Sequence, residues 1–581
     1  MKVLKIQLLL LLGLFMLAWP CAQAGDRYTG EHFATRSPVL ARNGIAATSH
    51  PIASSIAVDI MRKGGSAIDA AIAANAMLAL VEPYACGIGG DLFAIVWDPK
   101  SKQLAGYNGS GRSPASLDFA EMENLLDGAV SIPLFGPLSV SVPGTVDAWF
   151  ALHERYGKLP MSELLAPAIG YAREGVAITE VDAALWAEAM GDLAEAGLPP
   201  SQLEQLYETF MNDSRPPRAG EIFKNPGLAD SLARLADGGR DAFYKGDLAG
   251  RMTAAVQEGG GHLQLADLAG HRGEWVTPVS VNYRGYDVYE MPPNSQGIAA
   301  LQMLNLLEAY PLARMGRDSA EFWHVYIEAK KLAYEDRARF YADPAFVEIP
   351  LAWLLSDEYA EQRRKMIDPQ RAAKSAPSGS PPAHGDTTFL VTGDADGMMV
   401  SFIQSNYWEF GSGVVASGTG FALQNRGSSF SMEKNHANVY EAGKRPFHTI
   451  IPAFVMQGET PLMAFGVMGG YLQPQAHALI VMNIIDFGMN VQEAGDAARG
   501  VHSADSHPTG GRMQDGGTIY LESDIPQSVV QGLKALGHSV VHGERQYVGS
   551  FGGYQAIWRD PKTGVYHGAS EMRYDGAAAG Y

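Results

Sequence analysis

Apolar positions along the chain follow two periods, and each period predicts a different element. The run SAIDAAIAANAMLALV from Ser66 is small and apolar on nearly every side, which predicts a helix buried between layers, started by a capping box of Ser66 and Asp69. Before it, Ser49 is the expected cap of a helix with Pro51 in its first turn, stopped by Gly64 and Gly65. The glycine cluster GIGGD at 87–91 reads as a tight turn feeding a strand over 92–97. It lacks the Lys-Ser/Thr of a phosphate loop and precedes a strand, not a helix. VPGTV at 142–146 opens a helix, and helical segments run to about Ala236, where Asp237, Gly238 and Gly239 make a stop. Residues 281–289 read as a strand, and MPPNSQG at 291–297 as a turn into the helix that carries Leu301 to Leu307. The pattern over 318–341 predicts a long amphipathic helix. Phe322, Val325, Ala329, Leu332 and Ala333 share one face, and Lys330, Glu335 and Asp336 lie mostly elsewhere.

The pattern breaks at 373–386, which is rich in Pro, Ser, Gly and Ala and reads as a flexible loop, since such a composition buries too little apolar surface to offset its ordering entropy. A β-branched and apolar run then starts at once. Thr387, Thr388, Phe389, Leu390 and Val391 form a strand, Asp394 to Gly397 carries turn residues, and Met399 to Ile403 is the return strand. A reachable loop running into a rigid strand that begins with Thr is what a self-cleaving precursor needs, so Thr387 is the candidate nucleophile. A free N-terminal Thr combines hydroxyl and base: its α-amine has a pKa of about 7.7–8.0, so a useful fraction is unprotonated near neutral pH.

Composition narrows the class. The chain has 581 residues, 46% hydrophobic and 18% charged, enough for a substantial core in one large layered fold or several domains. Its net charge of -19 argues against nucleic acid or an anionic lipid surface as partner. The first 24 residues have a basic start, an apolar run and an Ala-Gln-Ala cleavage site. They predict a signal peptide, export to the periplasm or medium, and no membrane attachment afterwards. That leaves Cys86 as the sole cysteine of the mature chain, so no internal disulfide forms. No internal repeat, G-x-S-x-G elbow or metal cluster of convincing spacing is present. His502, Asp505 and His507, in HSADSHPTGG, come nearest to one and read as a solvated loop. No metal or other cofactor is expected.

Several stretches beyond Thr387 are distinctive: FGSG at 410–413, GKRP at 443–446 and GVMGG at 466–470. With ARNG and ATSHP near the start, GGSAIDAAIAA, EPY and GIGGD, VPGTV, MPPNSQGI and EAKKLAYEDRARFYADP, they resemble the γ-glutamyltransferase (γ-glutamyltranspeptidase) family, in order and over nearly the whole mature chain. The resemblance implies an α/β (α+β) fold, the four-layer αββα sandwich of N-terminal nucleophile hydrolases. It also implies a precursor cut before Thr387 into a large subunit, 25–386, and a small subunit, 387–581, that remain together as a heterodimer.

Carried onto this sequence, the resemblance implies a role for Ser405 as the second hydroxyl beside the nucleophile, and for Gly469 and Gly470 as the backbone donors of an oxyanion hole. The substrate pocket departs from the family pattern. The Arg that holds the γ-glutamyl α-carboxylate is matched by Ser110, with Arg112 close by. The usual Asn is matched by Tyr407, with Asn406 beside it. Arg426 and Ser429 stand for the Gln and Asp that grip the amino group, and His448 and Thr449 stand for a Ser-Ser pair. The segment 431–444 is shorter than in members with a lid over the site. The expected activity is hydrolysis of γ-glutamyl amides such as glutathione through a Thr acyl-enzyme, with hydrolysis exceeding transpeptidation. The lidless branch that the pattern resembles also includes cephalosporin acylases, so a glutaryl-type acylase is the alternative. An inactive binding module is a third reading, which the intact set Thr387, Ser405, Gly469 and Gly470 opposes.

Overall fold

The computed structural model describes residues 35–374, 386–513, 515–544 and 550–581. The expected signal segment, 1–24, and nearly all of the expected flexible loop lie outside the described residues.

Two seven-stranded sheets form the centre. One runs, edge to edge, through Ala577–Gly580, Gly44–Thr48, Asp386–Asp394, Met399–Tyr407, Asp91–Asp98, Gln103–Asn108 and Glu274–Val276. The other runs through Val39–Ala41, Tyr566–Ser570, Gly553–Arg559, Thr460–Met468, Ala453–Gln457, Tyr286–Glu290 and Val279–Tyr283. Every pairing in both is antiparallel. Strand alternation separates the layers. Phe389, Val391, Met399, Ile403, Phe93 and Ile95 face Phe454, Ala464 and Ile557 across the gap between the sheets. Their neighbours Leu390, Val400, Phe402, Leu92, Ala94 and Val96 pack on the other face against the helices Pro51–Arg62, Ala67–Val81 and Thr145–Tyr156. The second sheet likewise packs Val288, Val455 and Phe465 against Ile298–Leu307, Ala320–Phe340 and Gln473–Ile485. The order is helices, sheet, sheet, helices, the αββα sandwich that the resemblance implied. With both faces covered, the central strands read as continuous apolar runs.

Several predicted elements form where the pattern placed them. Helix Ala67–Val81 is buried along its whole length and carries the Ser66–Asp69 capping box. Others need correction. The cap of helix Pro51–Arg62 is His50, whose Nδ1 accepts from the Ile52 amide at 3.2 Å. Ser49 instead donates to Glu82 at 2.8 Å. By contrast, the stop at Asp237, Gly238 and Gly239 falls where expected: Gly239, at φ 66° and ψ -162°, is non-helical and separates two helical stretches within Pro226–Tyr244. The expected strand over 281–289 is a hairpin, Val279–Tyr283 and Tyr286–Glu290, turned by Arg284 and Gly285 at φ 52° and 86°. Lys330, Asp336 and Arg337 of Ala320–Phe340 are not a solvent face: they are buried with the apolar positions, Lys330 and Arg337 against Asp505 in the loop that follows Gly500–Ser503, and Asp336 against Gln302, Tyr359 and Arg363.

Candidate active site

The hairpin that holds Thr387 contains an irregularity at that residue. Asp386 pairs with Tyr407, but Thr388 pairs with Gln404, so Ser405 and Asn406 together oppose Thr387 alone. A bulge of this kind bends the strand and re-aims its side chains. Here it turns Ser405 back toward the start of the neighbouring strand, where the Thr387 hydroxyl donates to Ser405 Oγ at 3.2 Å. Tyr407 closes the bulge at φ 84°, a left-handed conformation that costs a non-glycine residue about 1–3 kcal/mol. Three contacts hold it there. Its amide donates to Ser405 Oγ at 2.8 Å, its hydroxyl meets the Tyr471 hydroxyl at 2.5 Å, and the Arg426 guanidinium lies 4.1 Å from its ring centre.

Arg426 is fully buried. Its Nη1 donates to Thr449 Oγ1 at 2.8 Å and its Nη2 reaches Ser405 Oγ at 3.5 Å, while Nε has no partner. No carboxylate among the described residues pairs with it. Burial lowers its pKa to about 10, opposed by Tyr407 and Asp91, so it remains a cation at neutral pH. Asp91 is the acid that feels this charge: burial pushes it up to about 7 and Arg426 opposes the rise. Both Asp91 oxygens are occupied. Oδ1 accepts from the Gly111 amide at 3.1 Å and Gln424 Nε2 at 3.0 Å, and Oδ2 faces His448 Nε2 at 3.0 Å. His448 Nδ1 takes the Ile450 amide at 3.4 Å, and burial keeps the ring well below its ordinary pKa. Neutral His448 thus fixes the backbone on which Thr449 sits.

Gly469 and Gly470 follow the strand Thr460–Met468 at φ 130° and 60° and lead into Tyr471. Among the described residues neither glycine amide donates a hydrogen bond, so both N–H groups remain available to an oxyanion. A Cβ on Gly469 would sit 2.8 Å from Leu472 Cδ2 and 3.2 Å from Gly552 Cα. Gly469→Ala is therefore expected to distort the turn and lower kcat at least about tenfold, since misplacing a reacting group by about 1 Å costs about 10². Steady-state kinetics of the cut enzyme check this, and an unchanged kcat would separate the turn from the chemistry.

The remaining predicted residues lie apart. Arg112 donates to Asp343 at 3.2 Å and to the Gly443 carbonyl at 3.1 Å. Asn406 points to the opposite side of its strand, against Gly87, Gly90 and the Pro83 carbonyl. Ser429 ends the short turn that Arg426 begins, with its hydroxyl buried and unpartnered. The short 431–444 segment is pinned by Asn438, which donates to the Ser429 and Pro508 carbonyls at 2.6 and 3.1 Å.

The expected solvated loop around His502 and Asp505 is instead half-buried and tied to the long helix Ala320–Phe340. His502 sits on the strand Gly500–Ser503 and contacts Lys330 Nζ at 3.0 Å, and Asp505 pairs with Lys330 at 2.9 Å and Arg337 at 2.7 Å. The His507 ring packs edge-on against Tyr471, with 4.0 Å between centres, and separates it from a cleft of about 840 Å³ lined by Glu335, Arg339, His436 and Arg512. These groups are bound to one another and to protein donors, not aimed at a common metal position. A different trio, His324, Glu328 and His538, brings ligand atoms within 4.8 Å of one another. Each is already engaged: His324 bonds His538 at 2.8 Å and the Asp368 carbonyl at 2.7 Å, and Glu328 pairs with Lys331 at 2.8 Å.

A profile described as Gamma-glutamyltranspeptidase matches residues 53–581. The chain belongs to this family. It is 39% identical over 546 residues to the glutathione hydrolase-like YwrD proenzyme of Bacillus subtilis, covering 93% of this chain and 99% of that one. It is 33% identical over 549 residues to the oxamate amidohydrolase proenzyme of Klebsiella pneumoniae, with 93% and 99% covered. Among solved structures, the cephalosporin acylase from Bacillus halodurans superposes with a TM-score of 0.86 at 41% identity, covering 96% of this chain and 99% of that one. The family is one of γ-glutamyl and acyl amide hydrolases and transpeptidases built as N-terminal nucleophile hydrolases. No helix among the described residues is long and apolar enough to cross a membrane.

Proposed function

We propose that this protein is an exported, self-processing amidohydrolase that is cut between Asp386 and Thr387 into subunits 25–386 and 387–581 and removes carboxylate-bearing acyl groups from amides. The observation that carries the reading is the Thr387 hydroxyl set 3.2 Å from Ser405 Oγ by the strand bulge, at the start of a buried strand. In the precursor the Thr387 oxygen attacks the Asp386 carbonyl carbon, the peptide C–N bond breaks, and the resulting ester is hydrolysed by water, freeing the Thr387 amine. In turnover that amine takes the hydroxyl proton as Oγ attacks the substrate amide carbonyl. The tetrahedral oxyanion is held by the Gly469 and Gly470 N–H groups, the C–N bond breaks, and the leaving amine takes the proton. Water then cleaves the acyl ester.

γ-Glutamyl amides such as glutathione are the first substrate class. One observation favours glutaryl-type amides, which lack the amino group: a buried cation, Arg426, stands beside Ser405, and both oxygens of the nearby acid, Asp91, are already bonded. The charge of Arg426 at this site favours a carboxylate over an ammonium group. The test is intact-mass analysis of purified protein followed by turnover of γ-glutamyl- and glutaryl-p-nitroanilide. Two chains with Thr387 at the new N-terminus are expected, together with a kcat/KM for the glutaryl compound at least equal to that for the γ-glutamyl one. An uncut chain without turnover would overturn the proposal in favour of a binding module.

A further inference from the structure

Gln296 lies in the MPPNSQG turn, upstream of the proposed cut, and is fully buried. Its side-chain amide joins the two walls of the candidate site, both of which come from downstream of the cut. Nε2 donates to the Thr449 carbonyl at 2.6 Å and to the Gly470 carbonyl at 2.9 Å. Oε1 accepts from Arg337 Nη1 at 2.8 Å. A glutamine amide can present either end, and here the guanidinium requires the oxygen, so both N–H donors are committed to the carbonyls. Arg337 is itself held: its Nη2 pairs with Asp505 at 2.7 Å, and Asp505 is fixed on its other side by Lys330 at 2.9 Å. The next carbonyl along, that of Tyr471, accepts from the Tyr334 hydroxyl at 2.6 Å. Successive peptide planes after Gly470 are thus held by donors from the upstream part of the chain, while the glycine N–H groups have no protein partner among the described residues.

We infer that Gln296, oriented by Arg337, is a positioning residue for the reaction, holding the Gly469–Gly470 turn and Thr449 at the spacing the transition state requires. The inference rests on the proposed Thr387 chemistry. Glycines at positive φ make a soft turn, and without an external strut its N–H groups have several accessible directions. Binding energy in an oxyanion hole depends on donors fixed in advance at about 2.7–3.1 Å from the developing charge. A strut that spans the cut keeps this geometry after cleavage.

The test uses the full-length protein, allowed to process, with Gln296→Glu and Gln296→Met. Glutamate keeps the shape and pairs with Arg337, but it sets carboxylate oxygen against two carbonyls. Methionine keeps the approximate volume and donates nothing. Both variants are expected to lose about 10–10² in kcat on the preferred anilide, with KM within about threefold. The affinity of an alkylboronic acid bearing the same terminal carboxylate, which forms a tetrahedral anion on Thr387, is expected to weaken by the factor lost in kcat/KM. A filler of space would lower thermal stability and leave kcat and boronate affinity unchanged. That result, in either folded variant, overturns the inference. The half-time of self-cleavage is read in the same preparations: a slowed or absent cut in a folded variant supports the inference, and a wild-type half-time counts against it. Absence of cleavage and turnover in the wild type would fail the underlying reading, a separate outcome.

Discussion

Thr387→Ala yields one uncut chain with no turnover above background. Both losses follow from a single atom. In the proposed chemistry the hydroxyl oxygen that the substrate acylates is also the one that attacks the Asp386 carbonyl, and Ala supplies neither attack. Removing the nucleophile of a hydrolase that acts as a unit with its base costs on the order of 10⁶ in kcat, far more than any loss of binding. The fold should survive, because among the described residues the Thr387 side chain makes one hydrogen bond, to Ser405, whose oxygen keeps the Tyr407 amide at 2.8 Å. Thr387→Ser retains the hydroxyl and is expected to cut itself and turn over, more slowly, since the lost methyl frees χ1. Denaturing electrophoresis and intact mass read the first result directly. A Thr387→Ala protein still split at the same peptide bond would sink the assignment of Thr387 as nucleophile.

How much of this was legible in the sequence depends on the range of the interaction. The hairpin after the Pro-rich loop could be read because β-branched runs and turn residues are local; the return strand begins at Met399 as expected and the first strand one residue early, at Asp386. The bulge opposite Thr387 could not: it is a one-residue offset between two strands, and each strand alone shows an unbroken pattern. The pairing of Asp91 with His448 joins positions 357 residues apart, so neither residue carries a mark of the other. The long helix gave its apolar face correctly, but Lys330 looked like solvent-facing charge because the acid that holds it, Asp505, belongs to a segment read as a loop. Gln296 was visible only as part of a motif. Its amide acquires a role from two carbonyls, and carbonyls have no signature in a sequence. The hairpin turn at Arg284 and Gly285 was missed because its flanking residues continue the strand pattern across it.

Arg426→Leu lowers kcat/KM for glutaryl- and γ-glutamyl-p-nitroanilide by about 30- to 10³-fold while leaving a neutral acyl anilide such as the butyryl compound within about threefold. The magnitude is that of removing one partner of a buried, hydrogen-bonded charge pair, about 2–4 kcal/mol. The selectivity is the informative part. Among the described residues the guanidinium has no carboxylate partner, its Nε is unsatisfied, and burial already lowers its pKa to about 10. A cation kept in that condition is costly to the fold, and a substrate carboxylate that reaches it gains from the missing charge as well as from hydrogen bonds. Leucine should also relieve the desolvation cost, so the variant's thermal stability is expected to change less than its activity. Arg426→Lys, with a single ammonium in place of the planar fork, should recover part of the activity through charge but not the bidentate fit. The competing role is mechanical: Arg426 braces the strained Tyr407 ring at 4.1 Å and holds Thr449 Oγ1 at 2.8 Å. If bracing were its whole contribution, the glutaryl and butyryl compounds would lose activity in equal proportion, because a displaced Ser405 or Thr449 impairs every acyl transfer alike. The ratio of the two losses, measured on the same preparation, therefore separates recognition of the acyl carboxylate from support of the catalytic hydroxyls.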